Sequence, residues 1–316
     1  MIISGVDVAA LDDDFSMTLP KTGRTLILDG DGPAYVAAAT VQTVPTGLRR
    51  FQSQVLEAIF LADCAHGEVF LTHEDSYKAG RFTIKAAKPY QGNRKGTAKP
   101  PLLSQIREIA EQEGSMDEFT VRMERMIEAD DGMMMLAYQL GEEGVIRSED
   151  KDLRMTPYPY YDIKRGVIMP SDPLGELWLE ETDSGAQKLV GRSLKFFWAQ
   201  MIMGDTADNI KGLIQLDGKA VGLQGAYKLL NPLRDIEALC NTVISAYRAI
   251  DQNPLPEAWL LWLLRHPADN VWSYFDELPF TPANRAFLDE CVTRDWFTRA
   301  SLDAQALACY DACMES

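Results

Sequence analysis

Three observations predict an α/β fold with a largely parallel central sheet flanked by helices. Short apolar runs stop at acidic residues, helical stretches separate those runs, and 316 residues with 46% hydrophobic content suffice for a sizeable core. In chain order, Leu26-Ile27-Leu28 reads as a buried strand ending at Asp29; Gly30 and Pro33 break it, and an Ala-rich helix follows from Ala34 to Thr40. Gln52 to Ala62 has helical periodicity through Val55, Ile59 and Leu61, and Val69 to Thr72 is a second strand that stops near Glu74 and Asp75. Leu102 to Glu113 predicts a helix, Phe119 to Met123 a strand, Asp130 to Leu140 a Met-rich helix, and Val145-Ile146 a strand terminating at Asp150. After Asp183-Ser184-Gly185 the character changes: Leu194 to Met203 is helical, a Gly-rich stretch from Gly204 to Gly225 leads into Ala226 to Leu230, and the remainder, with Trp259, Trp262, Trp272 and Trp296, reads as helical.

Composition excludes several classes. The net charge of −16 and 25% charged residues are those of an ordinary globular chain, so disordered and fibrous classes fall away. No run of eighteen apolar residues occurs, and Asp12, Asp13 and Asp14 lie where a secretory leader would be basic, so neither a membrane span nor a signal is expected. Five scattered cysteines without a CxxC pair, and three histidines, argue against a disulfide framework or a zinc site and for a reducing cytoplasm. His66, His73 and His266 read as structural, and Met133 to Met135 as helix core.

An acidic balance argues against nucleic acid unless the acids hold metal and positive charge is gathered locally. It is gathered: no acid lies between Asp75 and Glu108, a stretch that holds Lys78, Arg81, Lys85, Lys88, Arg94, Lys95, Lys99 and Arg107. A solvated loop is the plain alternative for such a segment. The acids, for their part, fall at predicted strand ends and helix starts: Asp29, Asp75, Glu128 with Asp130 and Asp131, Asp150 with Asp152, and Asp205 with Asp208. Each alone reads as a helix cap. Together they would repel unless cations neutralise them, and hard oxygens without His or Cys select Mg²⁺ or Mn²⁺. Two such ions about 3.5–4 Å apart serve phosphodiester hydrolysis. Asp31 makes a second D-x-D with Asp29, which is preferred because it directly ends the strand.

Specific runs carry a resemblance. Glu128-Ala129-Asp130-Asp131, Ser148-Glu149-Asp150-Lys151-Asp152, Met203-Gly204-Asp205-Thr206-Ala207-Asp208-Asn209-Ile210 and Pro89-Tyr90-Gln91-Gly92-Asn93-Arg94-Lys95 resemble, in order, motifs of the 5′-nuclease or flap endonuclease superfamily, over roughly Leu26 to Leu230. The resemblance implies a 5′-nuclease/PIN-like core over 21–192 with a helical arch near 76–101, a helix-two-turn-helix duplex-binding region over 193–250, a C-terminal helical extension over 251–316 and an acidic tail over 1–20. It implies a first metal held chiefly by Asp29, Asp75, Glu128, Asp130 and Asp150, a second drawing on Asp152, Asp205 and Asp208, and Asp131 at the same centre. Lys78, Lys85, Asn93, Lys95 and Lys99 of the arch, with Lys211, Gly212, Gly222, Gly225 and Lys228 of the Gly-rich segment, are the implied DNA contacts, and a K⁺ ion is implied at the helix-two-turn-helix. Two departures stand out. Gln91 occupies the place of the family's usual lysine, which shifts charge stabilisation to Arg94, Lys88 or Arg81, and Leu213 to Ala220 holds extra residues relative to the compact K⁺-binding pattern.

The implied activity is a phage-type, two-metal 5′→3′ exonuclease and flap endonuclease acting as a monomer on branched or 5′-ended DNA or RNA/DNA hybrid, in replication or recombination. Gln91 motivates one alternative, a nucleic-acid-binding homologue with impaired catalysis; the shared acidic core motivates another, a PIN-type ribonuclease. The four C-terminal tryptophans read as core, with a replication-partner surface as the alternative.

Overall fold

The computed structural model describes residues 23–297 except 95, 97, 170, 171 and 183, together with the backbone of the short antiparallel pair Ile2–Ile3 and Val6–Asp7. The rest of the acidic tail, and the C-terminal extension beyond 297, lie outside the described residues.

Six strands form one sheet in the order β3-β2-β1-β4-β5-β6. They are β1 (Thr25–Asp29), β2 (His66–Thr72), β3 (Phe119–Glu124), β4 (Gly144–Arg147), β5 (Tyr160–Asp162) and β6 (Gly166–Ile168). All neighbours run parallel except β5 and β6. Alternation along β1 makes two cores. Leu26 and Leu28 face a cluster with Phe51, Val55 and Ile106, whereas Ile27 faces one with Phe70, Met133, Ile146 and Phe197. Each such Leu or Ile, fully buried, contributes about 1.5–3 kcal/mol.

Between β1 and β2 lie α1 (Asp31–Thr40) and α2 (Val44–Leu61); α3 (Leu103–Glu113) precedes β3. The second helix starts eight residues before the expected Gln52, because Thr43 and Pro45 make a favourable helix start that the apolar period does not reveal. The Met-rich helix, α4 (Ala129–Leu140), crosses from β3 back to the middle of the sheet and packs over β1, β2 and β4. The chain thus builds outward from β1 on one side and resumes with β4 on the other, which makes the carboxyl ends of β1 and β4 a topological switch point.

Four strands escape the sequence reading: β5, β6 and the separate antiparallel pair β7 (Leu177–Glu181) and β8 (Gln187–Gly191). They are short, half-exposed and interspersed with charge, so they lack an apolar run. The helical arch implied for 76–101 takes another form. Its described residues make two 3₁₀ turns, Lys78–Thr83 and Gly92–Arg94, and no α-helix; Gly80, Pro89, Gly92, Gly96, Pro100 and Pro101 interrupt any longer helix.

After β8, α5 (Ser193–Met203) leads through two turns, closed by the bridges Asp205–Ile210 and Leu216–Lys219, into α6 (Leu223–Leu230). Gly204 has φ +73°, and a Cβ there would lie 2.4 Å from the Ile210 carbonyl oxygen, so only glycine makes this turn. Helices α7 (Ile236–Ala249), α8 (Leu255–Leu261), α9 (Val271–Asp276) and α10 (Pro282–Thr293) complete the chain. Their tryptophans are core: Trp198 stacks on Phe275 (5.6 Å, 9°) and Trp262 on Tyr274 (4.4 Å, 15°).

Candidate metal centre

At the switch point, Asp29 leaves β1 with Oδ1 accepting the Asp31 amide (3.0 Å) and Oδ2 accepting the Ser148 hydroxyl (2.8 Å). Burial first, then Asp31 and Asp150, push its pKa up to about 6. Asp31 is turned elsewhere, pairing with Arg107 (2.9 Å) and accepting the Thr72 amide. Asp130, in the first turn of α4, is pushed well above the carboxylate range by burial, then by Asp150, Asp29, Glu128 and Asp131. Asp150 is exposed just beyond β4 and accepts the Asp152 amide (2.9 Å). Three carboxylates from three elements therefore converge, and no described donor pairs with the Asp130 side chain.

A second group adjoins them. One oxygen each of Asp152, Asp205 and Asp208 lie within 4.8 Å of one another. Burial first raises Asp152 to about 7, with Lys151 opposing and Asp150 and Asp205 adding to the rise. Lys151 Nζ bridges Asp152 (3.0 Å) and Asp205 (2.8 Å), and Gln200 on α5 donates to Asp152 (2.6 Å) while its Oε1 is buried without a partner. Burial first also raises Asp208, against the pull of Arg94.

The two members of the acidic quartet nearest Asp130 serve differently. Glu128 caps α4 and receives Lys78 (2.8 Å), Arg81 (3.1 Å) and the Tyr90 hydroxyl (2.7 Å). Burial works against its charge, yet Arg81 and then Lys78 hold its pKa below the usual value. Asp131 is fully buried and saturated: Arg81 grips both oxygens (2.6 and 2.7 Å), and the amides of Glu128 and Leu264 supply two more bonds. That leaves Asp131 no oxygen for the cluster, although it was expected at the same centre. Arg81, 3% exposed and bonded also to the Trp262 carbonyl (2.8 Å), is likewise locked into structure rather than presented to a ligand.

Asp75 is exposed, its amide bonded to His73 Nδ1, and nothing described links it to the other carboxylates. The segment 89–94 is stitched to the turn at 205–210. The Gln91 amide donates to the Asp208 carbonyl, its side chain to the Asp208 carboxylate (3.0 Å), Asn93 to the Thr206 carbonyl (2.8 Å), and Asn209 to the Pro89 carbonyl (2.9 Å). Arg94 reaches Asp208 at 2.5 Å and remains half-exposed. Lys85 pairs with Asp295, Lys88 and Lys99 are exposed, and Lys95 lies outside the described residues. In the two-turn region Lys211 is half-buried, Gly212 is buried in the first turn (φ +68°), Gly222 caps α6, Gly225 sits in its first turn, and Lys228 is exposed in its last. A cavity of about 540 Å³ lies here, lined by Leu216, Val221, Gly222 and Gly225 among others and by no carboxylate.

Sequence reasoning missed Ser148, Lys151, Gln200 and Tyr90. Gln200 alone had a usable signal: it lies one helical turn before Gly204, on the stretch that delivers Asp205.

No family model and no curated protein matches this sequence. Solved structures do resemble it. Bacteriophage T5 5′-exonuclease with divalent metal ions (zinc) bound is 15% identical over 92% of this chain and 99% of that one, with a TM-score of 0.49. A bacteriophage T5 flap endonuclease pseudo-enzyme-product complex with DNA and metal ions is 16% identical over 90% of this chain and 99% of that one, also at 0.49.

Proposed function

We propose that this chain is a divalent-metal-dependent nuclease that hydrolyses DNA phosphodiesters as a 5′→3′ exonuclease and flap endonuclease. The observation that carries the reading is the convergence of Asp29, Asp130 and Asp150 beside Asp152, Asp205 and Asp208, a buried acidic site without an internal charge balance. The donor set fits hard cations, since every oxygen is carboxylate and no His or Cys intervenes. When bound, a pair of Mg²⁺ or Mn²⁺ ions supplies an activated water and stabilises the leaving oxygen.

In this reading Asp29, Asp130 and Asp150 hold one ion and Asp152, Asp205 and Asp208 the other, and Ser148 and Gln200 orient Asp29 and Asp152. Glu128 keeps Lys78 and Tyr90 at the edge of the acids. Arg94 is the cation best placed to receive a phosphate, because its guanidinium is half-exposed and can bind one through two parallel bonds. The amides at the start of α6, with Lys211 and Lys228, form the surface for duplex phosphates.

The test is cleavage of a 5′-flapped duplex, a plain duplex and single-stranded RNA, each with and without Mg²⁺. The Asp205→Asn, Asp208→Asn double variant is expected to lose Mg²⁺-dependent cleavage while keeping DNA binding, because removing two negative charges cannot weaken attraction to phosphate. Full activity in that variant overturns the assignment; cleavage of the RNA alone favours a PIN-type ribonuclease.

A further inference from the structure

One aromatic side chain beside the acidic centre is left over from both the core and the proposed chemistry. Phe82 is 58% exposed, in a protein whose other aromatic rings near the C-terminal helices are nearly all buried. Its ring is nonetheless backed: Tyr90 packs against it at 5.5 Å and 60°, and Tyr90 is itself tied by its hydroxyl to Glu128. Lys78 Nζ stands 5.7 Å from the Phe82 ring centroid and 2.8 Å from Glu128 Oε1.

The backbone is bent to make this arrangement. Lys78 (φ +52°), Ala79 (φ +51°) and Gly80 (φ +73°) are three consecutive left-handed residues, two of them carrying a Cβ. Such a conformation costs a non-glycine residue energy and persists where surrounding structure imposes it; here the Tyr77 amide is pinned by the Arg125 carbonyl and the Ala79 amide by the Met126 carbonyl. The turn carries Lys78 inward to Glu128 and Gln91 and leaves Phe82 facing solvent four residues later. Two of the three ammonium donors of Lys78 are used, and one is left.

We infer that Lys78 and Phe82 form a subsite for one unpaired nucleotide of the nucleic acid strand, with Phe82 stacking its base and Lys78 holding its phosphate. The occupant follows from the chemistry. A fixed, exposed aromatic face accepts any nucleobase, an ammonium with a spare donor accepts a phosphate oxygen, and the two are spaced as base and phosphate are within one nucleotide. A base still paired in a duplex has no free face to offer, so the subsite selects single-stranded or frayed ends. This rests on the nuclease reading for its orientation relative to the acids, and its own test reads binding.

The experiment is an abasic scan. Fluorescent 5′-overhang DNA duplexes, each lacking one base at a successive overhang position, are titrated by anisotropy against the full chain and against Phe82→Ala and Phe82→Trp, with Ca²⁺ replacing Mg²⁺. The wild-type protein is expected to lose affinity on the order of tenfold at one position. Phe82→Ala is expected to show that loss on the intact oligonucleotide and no further loss at the same position, while Phe82→Trp restores the wild-type profile. A flat wild-type scan, or a Phe82→Ala profile that keeps the same dip, overturns the subsite. Cleavage with Mg²⁺ separates the two readings: a dip without cleavage leaves the subsite and removes the nuclease, and cleavage without a dip does the reverse.

Discussion

Asp130 and Asp131 are adjacent on the first turn of α4 and meet opposite surroundings. Asp131 belongs to a seam between the core and the C-terminal helices, where Arg81 and two amides satisfy it. The seam continues in Asp269, fully paired with Arg265 and the Trp262 indole, and in Glu257, a buried acid under the Ala87 amide whose pKa burial pushes up to about 7. Asp130 belongs to the centre, where Asp29, Asp150 and Glu128 add charge of its own sign. The fold thus disposes of buried acids in two ways along the seam, by an internal cation or by a proton, and at the centre by neither. The difference separates acids that hold the molecule together from acids that await a ligand.

That contrast can be broken where its effect is greatest, at the seam. Asp131→Asn leaves the buried Arg81 guanidinium half-paired and is expected to lower stability by about 3–5 kcal/mol, measured by urea unfolding. Stabilisation by added Mn²⁺ should remain in the folded fraction, because the residue donates nothing to the cluster; a loss below about 1 kcal/mol would show that the seam is not held there.

Glu257→Gln sharpens the role of the proton. A carboxyl whose pKa is about 7 folded and near 4.5 unfolded binds protons more tightly in the native state, so its native advantage is full at low pH and is lost as pH rises from 4.5 through 7. The amide variant keeps an acceptor for Ala87 and cannot ionise. It should match the wild type at pH 5 and exceed it by on the order of 2 kcal/mol at pH 8, read from paired thermal melts; equal melts at pH 8 would mean that Glu257 is not charged there.

The smallest expected effect lies at the centre and has the opposite sign from the seam. Without divalent metal, Asp130→Asn removes a repelled, desolvated charge and is expected to raise stability by about 1 kcal/mol, or a few degrees in Tm. With saturating Mn²⁺ the order should invert, since only the wild type gains binding energy. Calorimetry with and without EDTA checks both, and a variant destabilised in EDTA would place Asp130 with the seam.

The sequence made some of this contrast legible. Asp29 could be placed because Leu26 to Leu28 is an uninterrupted apolar run and the acid directly ends it. The division between Asp130 and Asp131 could not be read, because successive helix residues point about 100° apart, and what meets Asp131 is the Leu264 amide, 133 residues away. The segment 76–101 revealed its charge but not its course. Its turns are held by carbonyls of Arg125, Met126 and Trp296, which carry no sequence signature. Strands β5 to β8 were silent because Tyr160-Tyr161-Asp162 and Gln187 to Gly191 are too short and too polar to show a period.

The bond from Arg81 to the Trp262 carbonyl spans 181 positions of the chain, and this separation bears on how the molecule comes into being. At about 5–20 residues per second, a ribosome needs roughly 10–35 s to travel from one to the other. During that interval Asp29, Asp130, Asp150, Asp205 and Asp208 have all emerged, yet the clamp that closes over Arg81 and Asp131 has not. The strand ends can pair and the acids can gather, but their neighbours on α4 have no lid until the last third of the protein arrives. A nascent chain therefore carries every carboxylate of the centre well before it carries the framework that fixes their spacing.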